Sequence, residues 1–330
     1  MSNMFFSVVI PLFNKEKYIE RAIASVLKQE FNNFELIVVD DGSKDGSVAR
    51  VESFNDPRLR LVRQSNQGEG PARNSGVKEA CGKWVAFLDA DDMWMPSHLS
   101  CLKKAIDAFE GVGMVSSGSI EVENDIVPEM LGGLSQRAPR LVNYFSEASK
   151  TIGVINSSSV AVRRDVFARV GGFENYKMGC DLEFWARVAL EYPVSIIDEL
   201  TSVYFRGTGG VMESQDNEPT LESRRLPASL GEISPSVSML SQRLNDLPLE
   251  GECRESVVEY INSRLVQAMR GALFQGDIAR VKALRALCLS PLVGAQQRAW
   301  CTLARLPTFV LVAMSHVRAL SKWIYLRLKR

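Results

Sequence analysis

The sequence predicts an α/β protein: a mostly parallel sheet flanked by helices, with a helical extension at the C-terminus. Three observations carry this reading. Short apolar, β-branched runs at 7–12, 34–39, 59–64 and 84–88 alternate with stretches of helical spacing. Helices of about 10–15 residues between such runs imply right-handed crossovers joining parallel strands. Two acidic clusters, Asp40-Asp41 and Asp89-Ala90-Asp91-Asp92, directly follow the second and fourth runs. That is the edge at which open α/β sheets bind ligands.

Residues 7–12 are short and apolar enough for a buried first strand, and 16–29 place Tyr18, Ile19, Ala22, Ile23, Val26 and Leu27 on one side of a helix. The strand at 34–39 ends in Asp40-Asp41-Gly42-Ser43, after which Ser43 or Asp45 can cap a helix through Phe54. A third strand at 59–64 precedes a helix at 70–80, entered past Pro71. The fourth strand, 84–88, precedes a helix at 96–109. Beyond it, 112–117 and 157–162 read as strands, 164–170 as a short helix and Gly171-Gly172-Phe173 as a tight turn. An amphipathic helix at 181–191 and short strands at 194–197 and 202–205 complete the pattern, while 119–151 reads as an irregular loop beside the crevice. The expected domains are 1–210, an α/β domain that carries both acidic clusters; 211–250, a linker or irregular wrap rich in Ser, Pro, Gly and Glu; and 251–330, a basic helical region broken at Gly276, Pro291 and Pro307.

Composition removes several classes. With 46% hydrophobic and 24% charged residues the chain is globular. Six cysteines without a CxxC pair and only two histidines make a zinc centre improbable. Met1 to Phe6 show neither a basic n-region nor a long apolar run, so no signal peptide is expected and a reducing cytosol is the simplest home. The zero net charge hides an asymmetry, because from Ile278 onward there are ten bases and no acid. One end therefore suits an anionic surface.

Like charges held close resist ionising together, so a cluster such as Asp89, Asp91 and Asp92 suggests a cation or a proton-transfer task. Oxygen-only ligands favour a hard ion such as Mg2+ or Mn2+; the competing reading is a solvated acidic turn that caps the next helix. Two such clusters on one rim favour a nucleotide-plus-metal crevice. There is no GxGxxG after the first strand, which argues against a dinucleotide dehydrogenase.

Taken in order, Ser7-Val8-Val9-Ile10-Pro11-Leu12-Phe13-Asn14, Val38-Val39-Asp40-Asp41-Gly42-Ser43, Asn66-Gln67-Gly68, Ala72-Arg73-Asn74, Gly76, Ala80-Cys81-Gly82-Lys83-Trp84 and Asp89-Ala90-Asp91 resemble the motifs of a family 2 glycosyltransferase with the GT-A fold. The resemblance covers about residues 6–206, implies that 1–210 is a nucleotide-sugar-binding and catalytic domain, and implies transfer of a sugar from a nucleotide-diphosphate donor to a hydroxyl acceptor with inversion. It implies Mg2+ or Mn2+ at the DxD, with Asp91 as the first ligand and Asp89 and Asp92 beside it. Asp41 would pair with an N–H of the base, leaving Asp40 as a turn former. Pro11 and Phe13 either line the base pocket or pack in the core; Arg73 either reaches the nucleotide or pairs with a nearby acid. Met178-Gly179-Cys180-Asp181-Leu182-Glu183 is similar to the helix start that supplies the family's catalytic base, which assigns that role to Asp181, with Cys180 standing where Glu is common. Glu183 is the fallback base, or else the partner of Arg187 at i+4, and Asp181 alternatively serves only the helix dipole.

The processive synthases of the family carry a QxxRW motif and several membrane spans. Neither is seen here, so a single addition is expected. At the C-terminus, 306–317 is too short to span a bilayer, while Arg318, Lys322 and Lys329 share a helical face near Trp323, Tyr325 and Leu326. Such a helix either lies on an anionic membrane surface or packs on the protein. By analogy with the family, a glycan or lipid-linked glycan acceptor in surface-polysaccharide assembly would suit the former, with the protein peripheral at the inner face of the cell membrane. Nucleic acid is not expected, for want of a recognition motif. The alternatives are a non-catalytic nucleotide-sugar-binding module and a sugar nucleotidyltransferase.

Overall fold

The structure is a computed structural model that describes residues 4–123, 137–151, 153–208, 226–227, 229–246, 249–292 and 295–315. The chain divides into two compact units, Met1–Tyr144 with Gly153–Asp216, and Phe145–Ile152 with Asn217–Arg330.

The first unit is built on one mixed sheet. Its strands are β1 (Phe6–Leu12), β2 (Phe34–Asp40), β3 (Leu59–Arg63), β4 (Trp84–Phe87), β5 (Met93–Trp94), β6 (Met114–Glu123), β7 (Arg140–Val142), β8 (Val160–Arg163) and β9 (Val194–Arg206). Their order is β3-β2-β1-β4-β8-β6-β9-β5, with β7 beside β9. The block β3-β2-β1-β4 is parallel throughout. β1 and β2 are covered on both faces, which is why they are apolar at nearly every position rather than at alternate ones. Register then places the acidic clusters together: Leu12 pairs with Asp40 and Val9 with Phe87, so Asp41 and Asp89 emerge within a residue or two of one level.

α1 (Ile19–Leu27) buries Ile19, Ala22, Ile23 and Val26, and α4 (His98–Asp107) buries Leu99, Leu102 and Ala105; both join a single core with β1, β2 and β4. α2 (Ser47–Glu52) and α3 (Glu69–Glu79) complete the crossovers as the sequence predicts. Beyond β4 the sheet becomes mixed, because β8 leaves the acidic rim in the opposite sense and runs antiparallel to both β4 and β6. β6 pairs with β9 in parallel through a register shift around Gly118. This long pairing extends β6 to Glu123, into the stretch expected to be irregular, where β7 and α5 (Tyr144–Lys150) also form. α6 (Arg164–Val170) and α7 (Cys180–Glu191) fall where the pattern puts them.

In the second unit α9 (Gly251–Phe274) packs against α8 (Pro235–Asp246), α10 (Ile278–Ala286) and α11 (Ala295–Leu303). α8 occupies part of the expected linker. The Ser/Pro content read there as irregular is a helix start: Ser234 Oγ accepts from Val237 N–H at 3.3 Å, Pro235 opens the first turn, and Val237, Leu240 and Leu244 face inward. The predicted breaks at Gly276 and Pro291 separate α9, α10 and α11. Among the described residues no helix is long and apolar enough to cross a membrane. Arg318, Lys322, Trp323, Tyr325, Leu326 and Lys329 lie outside the described residues.

His98 shows how tightly the first core is closed. Its ring stacks on Trp94 at 4.1 Å and bonds Thr201 Oγ1 at 2.9 Å, and burial drives its pKa down to about 3 despite that bond. The unfolded chain takes up this proton near pH 6.5, whereas the folded chain resists until about 3, so stability falls as pH drops through that window. Urea midpoints measured between pH 7.5 and 4 should decline more steeply for the native sequence than for His98→Gln.

Candidate active site

The rim where β1, β2 and β4 end holds several linked carboxylates. Asp41 is buried and accepts three hydrogen bonds: Gln64 Nε2 at 2.8 Å and Gln67 N–H at 2.9 Å on Oδ1, and Gly68 N–H at 2.8 Å on Oδ2. It thereby fixes the loop leading into α3. Asp40 is also buried and closes the turn by accepting from Ser43 N–H at 3.0 Å. Gly68 takes φ +100°, open to glycine but strained for other residues, and sets the direction of α3.

One turn into α3, Arg73 is 1% exposed. Its guanidinium donates to Asp89 Oδ1 at 2.8 Å and Glu69 Oε1 at 2.5 Å, and reaches Cys180 Sγ at 3.8 Å at the start of α7. The acid pairing offered as one reading of Arg73 is present. Burial disfavours its charge, but Glu69 and Asp89 outweigh that and raise its pKa. Asp89 is itself raised to about 6 by burial, against the pull of Arg73 and with Glu69 and Asp91 adding to the rise.

Asp91 faces a different partner set. Lys15 Nζ at 2.6 Å and Thr208 Oγ1 at 2.8 Å both donate to its Oδ2, while Lys15 also donates to Thr208 O at 3.1 Å. Arg21 donates to the Asp91 carbonyl and lies 3.6 Å over the Phe205 ring. Asp92, expected beside Asp91 on a cation, has partners of its own. It is sealed from solvent, accepts from Ser158 Oγ on Oδ2 and from Phe205 N–H at 3.0 Å on Oδ1, and is held well above the usual carboxylate range by burial, Asp89 and Asp91. Its oxygens tie β9 to the 158 turn. Pro11 is half-buried at the end of β1, and Phe13 beyond it is 43% exposed, so Phe13 is not a core residue.

At the start of α7, Asp181 is half-buried, and its carboxylate has no hydrogen-bond or ion-pair partner among the described residues. Glu183 contrasts with it: 2% exposed and gripped by Arg187 at 2.7 and 2.8 Å. Arg187 also donates to the Val170 and Gly172 carbonyls, so the pair ties α7 to the Gly171-Gly172-Phe173 turn. That turn docks on α3 through Asn74, which donates to Phe173 O and accepts from Phe173 N–H, both at 2.8 Å. The approach needs glycine at 172, where a Cβ would come 2.4 Å from Asn74 Oδ1. Asp41, the start of α3, Asp89 and the start of α7 are thus joined through shared partners. Lys15, Thr208 and Asn74's docking role were not singled out from sequence. Lys15 follows the first-strand motif, but nothing in its local pattern shows that Thr208, 193 residues away, comes to meet it.

The donor set is oxygen-only, and Asp89 is held above its ordinary range by burial and by the charges of Glu69 and Asp91, which fits a hard divalent cation. No group of three or more ligand side chains converges among the described residues. One or two carboxylates with substrate phosphate oxygens is a normal environment for Mg2+.

A mixed sheet with acidic turns at the ends of its parallel block, feeding into a helix start that bears a free carboxylate, defines a GT-A glycosyltransferase. The glycosyl transferase family 2 profile matches residues 7–171, and the chain belongs to that family. Among curated relatives it is 40% identical over 100 residues to the Escherichia coli UDP-Glc:alpha-D-GlcNAc-diphosphoundecaprenol beta-1,3-glucosyltransferase WfgD, a match spanning 30% of this chain and 40% of that one. Its fold resembles that of residues 1–349 of Staphylococcus aureus TarS, solved with UDP-GlcNAc (TM-score 0.64, 22% identity, 91% of this chain and 89% of that one). It also resembles the Pyrobaculum calidifontis mannosyltransferase PcManGT, solved with GDP-Man and Mn2+ (TM-score 0.57, 18% identity, 96% and 80%). The protein is therefore a glycosyltransferase.

Replacing Asn74 with Ala leaves the Phe173 N–H and C=O without their partners. The expected cost is about 2 kcal/mol, read as a lower denaturant midpoint with an unchanged slope.

Proposed function

We propose that this glycosyltransferase moves a sugar from a nucleotide diphosphate to a hydroxyl of a lipid-linked glycan, in one inverting step at the rim formed by β1, β2, β4 and α7. The observation that carries the reading is the contrast between two acids on one helix. Asp181 is free, whereas Glu183 is committed to Arg187. A single available carboxylate suits a general base that takes the acceptor's proton as the hydroxyl attacks C1. Glu183, the neighbouring carboxylate, is engaged by Arg187 and so is not available as a nucleophile, and a direct displacement inverts the anomeric centre.

On the donor side, Asp41 keeps lone-pair capacity on Oδ2 beyond the Gly68 bond and can accept an N–H of the base. Exposed Phe13 and the adjoining Pro11 offer the base a flat apolar wall. Asp91, with Asp89 beside it, would hold Mg2+ or Mn2+ together with the donor's phosphate oxygens. Asp92 is left to anchor the turn. When bound, the divalent ion would supply Lewis-acid stabilisation of charge on the departing diphosphate. Arg73 keeps Asp89 and the start of α7 in register, so it positions the site rather than contacting donor. The acceptor class is drawn from WfgD, whose name specifies a diphosphoundecaprenol-linked sugar. The basic C-terminal end suits a peripheral position on an anionic, cytoplasmic membrane face.

Asp181→Asn should lower turnover by about 10²–10⁴-fold while leaving donor affinity unchanged, followed as release of nucleoside diphosphate. Turnover within tenfold of the native enzyme would remove the base assignment. Glu183→Gln should instead lower the melting temperature, since Arg187 loses its partner, with turnover per folded molecule kept within a few-fold. Mn2+ should raise the melting temperature of the native chain in the presence of donor but not that of Asp91→Ala.

A further inference from the structure

We propose that the helical unit carries a second anion site, centred on Arg264, that receives a phosphate group. Arg264 lies on α9 and is 8% exposed, and its Nε and Nη2 are buried without a hydrogen-bond partner. No ion pair or further contact offsets its charge. What it does have is an aromatic face: its Cζ lies 4.7 Å over the ring of Tyr260, one turn earlier. Cation–π attraction helps, but it satisfies none of the guanidinium's N–H donors, and an uncompensated buried charge costs a fold several kcal/mol.

The surroundings provide what an anion needs. Tyr260 Oη bonds Ser236 Oγ at 3.0 Å, and Ser236 Oγ lies 3.1 Å from Ser234 Oγ. Both serines belong to the start of α8, a twelve-residue helix, so the guanidinium stacks on the ring whose hydroxyl meets that helix's positive end. Nη1 is neither bonded nor among the fully buried atoms, and Ser234 is half-exposed, so the group is reachable from solvent. A forked guanidinium, reorientable hydroxyls and a helix N-terminus together match a tetrahedral oxyanion with several acceptors, which is a phosphate. The site lies within the helical unit.

The test uses the full chain and two variants, Arg264→Met and Arg264→Lys. Melting temperatures are compared in inorganic phosphate, pyrophosphate and chloride of matched ionic strength. Without phosphate, Arg264→Met should melt at or above the native chain, because it removes an unpaired charge. Phosphate or pyrophosphate should then raise the native chain by a few degrees more than Arg264→Met, with Arg264→Lys between. Any binding at the donor rim raises all three equally and cancels in the difference. A parallel arm compares sedimentation with phosphatidylglycerol and phosphatidylcholine vesicles. A free-phosphate difference assigns the site to a soluble phosphate. A loss by Arg264→Met of phosphatidylglycerol binding alone assigns it to a lipid phosphate. Identical behaviour of native and variant chains in both arms overturns the proposal, and should Arg264→Met fail to fold, equal responses of native and Arg264→Lys do so.

Discussion

Arg73 is the constraint on which the rim depends. Removed from water, its guanidinium must find partners, and it finds two carboxylates and a sulfur: Glu69 on its own helix, Asp89 at the end of β4, and Cys180 Sγ at the start of α7. Breaking such a buried pair from one side costs roughly 3–5 kcal/mol, so these segments cannot drift apart cheaply. The loop entering α3 is fixed in turn by Asp41, and the 171–173 turn by Asn74. A chemistry that needs donor and acceptor groups in one place therefore stands on an electrostatic tie hidden beneath it.

The fold was legible because its signal is periodic and local. β1, β2 and β4 are apolar at nearly every position, and no other arrangement buries such runs as well as a sheet covered on both faces. The acidic clusters could be placed on one rim because parallel register follows from crossover topology. Partner choice was less legible. Whether Glu183 or Asp181 is free depends on where Arg187 turns, and Arg187 reaches both Glu183 and the carbonyl of Val170, seventeen residues upstream. Asp92 looks like its neighbours in sequence, yet β9 brings the Phe205 amide to it from 113 residues away. The helix at 235–246 was missed because serine and proline mark loops and helix starts alike.

The charges around Asp91 form a second layer of order. Lys15 comes from the segment after β1 and Thr208 from the end of β9, and they meet on one carboxylate oxygen. Arg21, from α1, holds the same residue's carbonyl and stacks on Phe205. The Asp91 side chain is 15% exposed, enough for solvent to reach it while its orientation stays fixed by neighbours. Preorganisation of this kind lowers the entropy lost when an ion or ligand arrives.

Asp92 has a consequence for how such enzymes can be recombined. Because one carboxylate grips both the Ser158 hydroxyl and the Phe205 amide, the last residues of β9 belong mechanically to the catalytic rim rather than to whatever follows them. A chimera that borrows a relative's downstream segment to change which glycan is extended should keep its junction beyond Arg206. A junction placed inside β9 exchanges the residues that close this clasp, and misplacing the Phe205 amide would strand a buried carboxylate in either parent's framework.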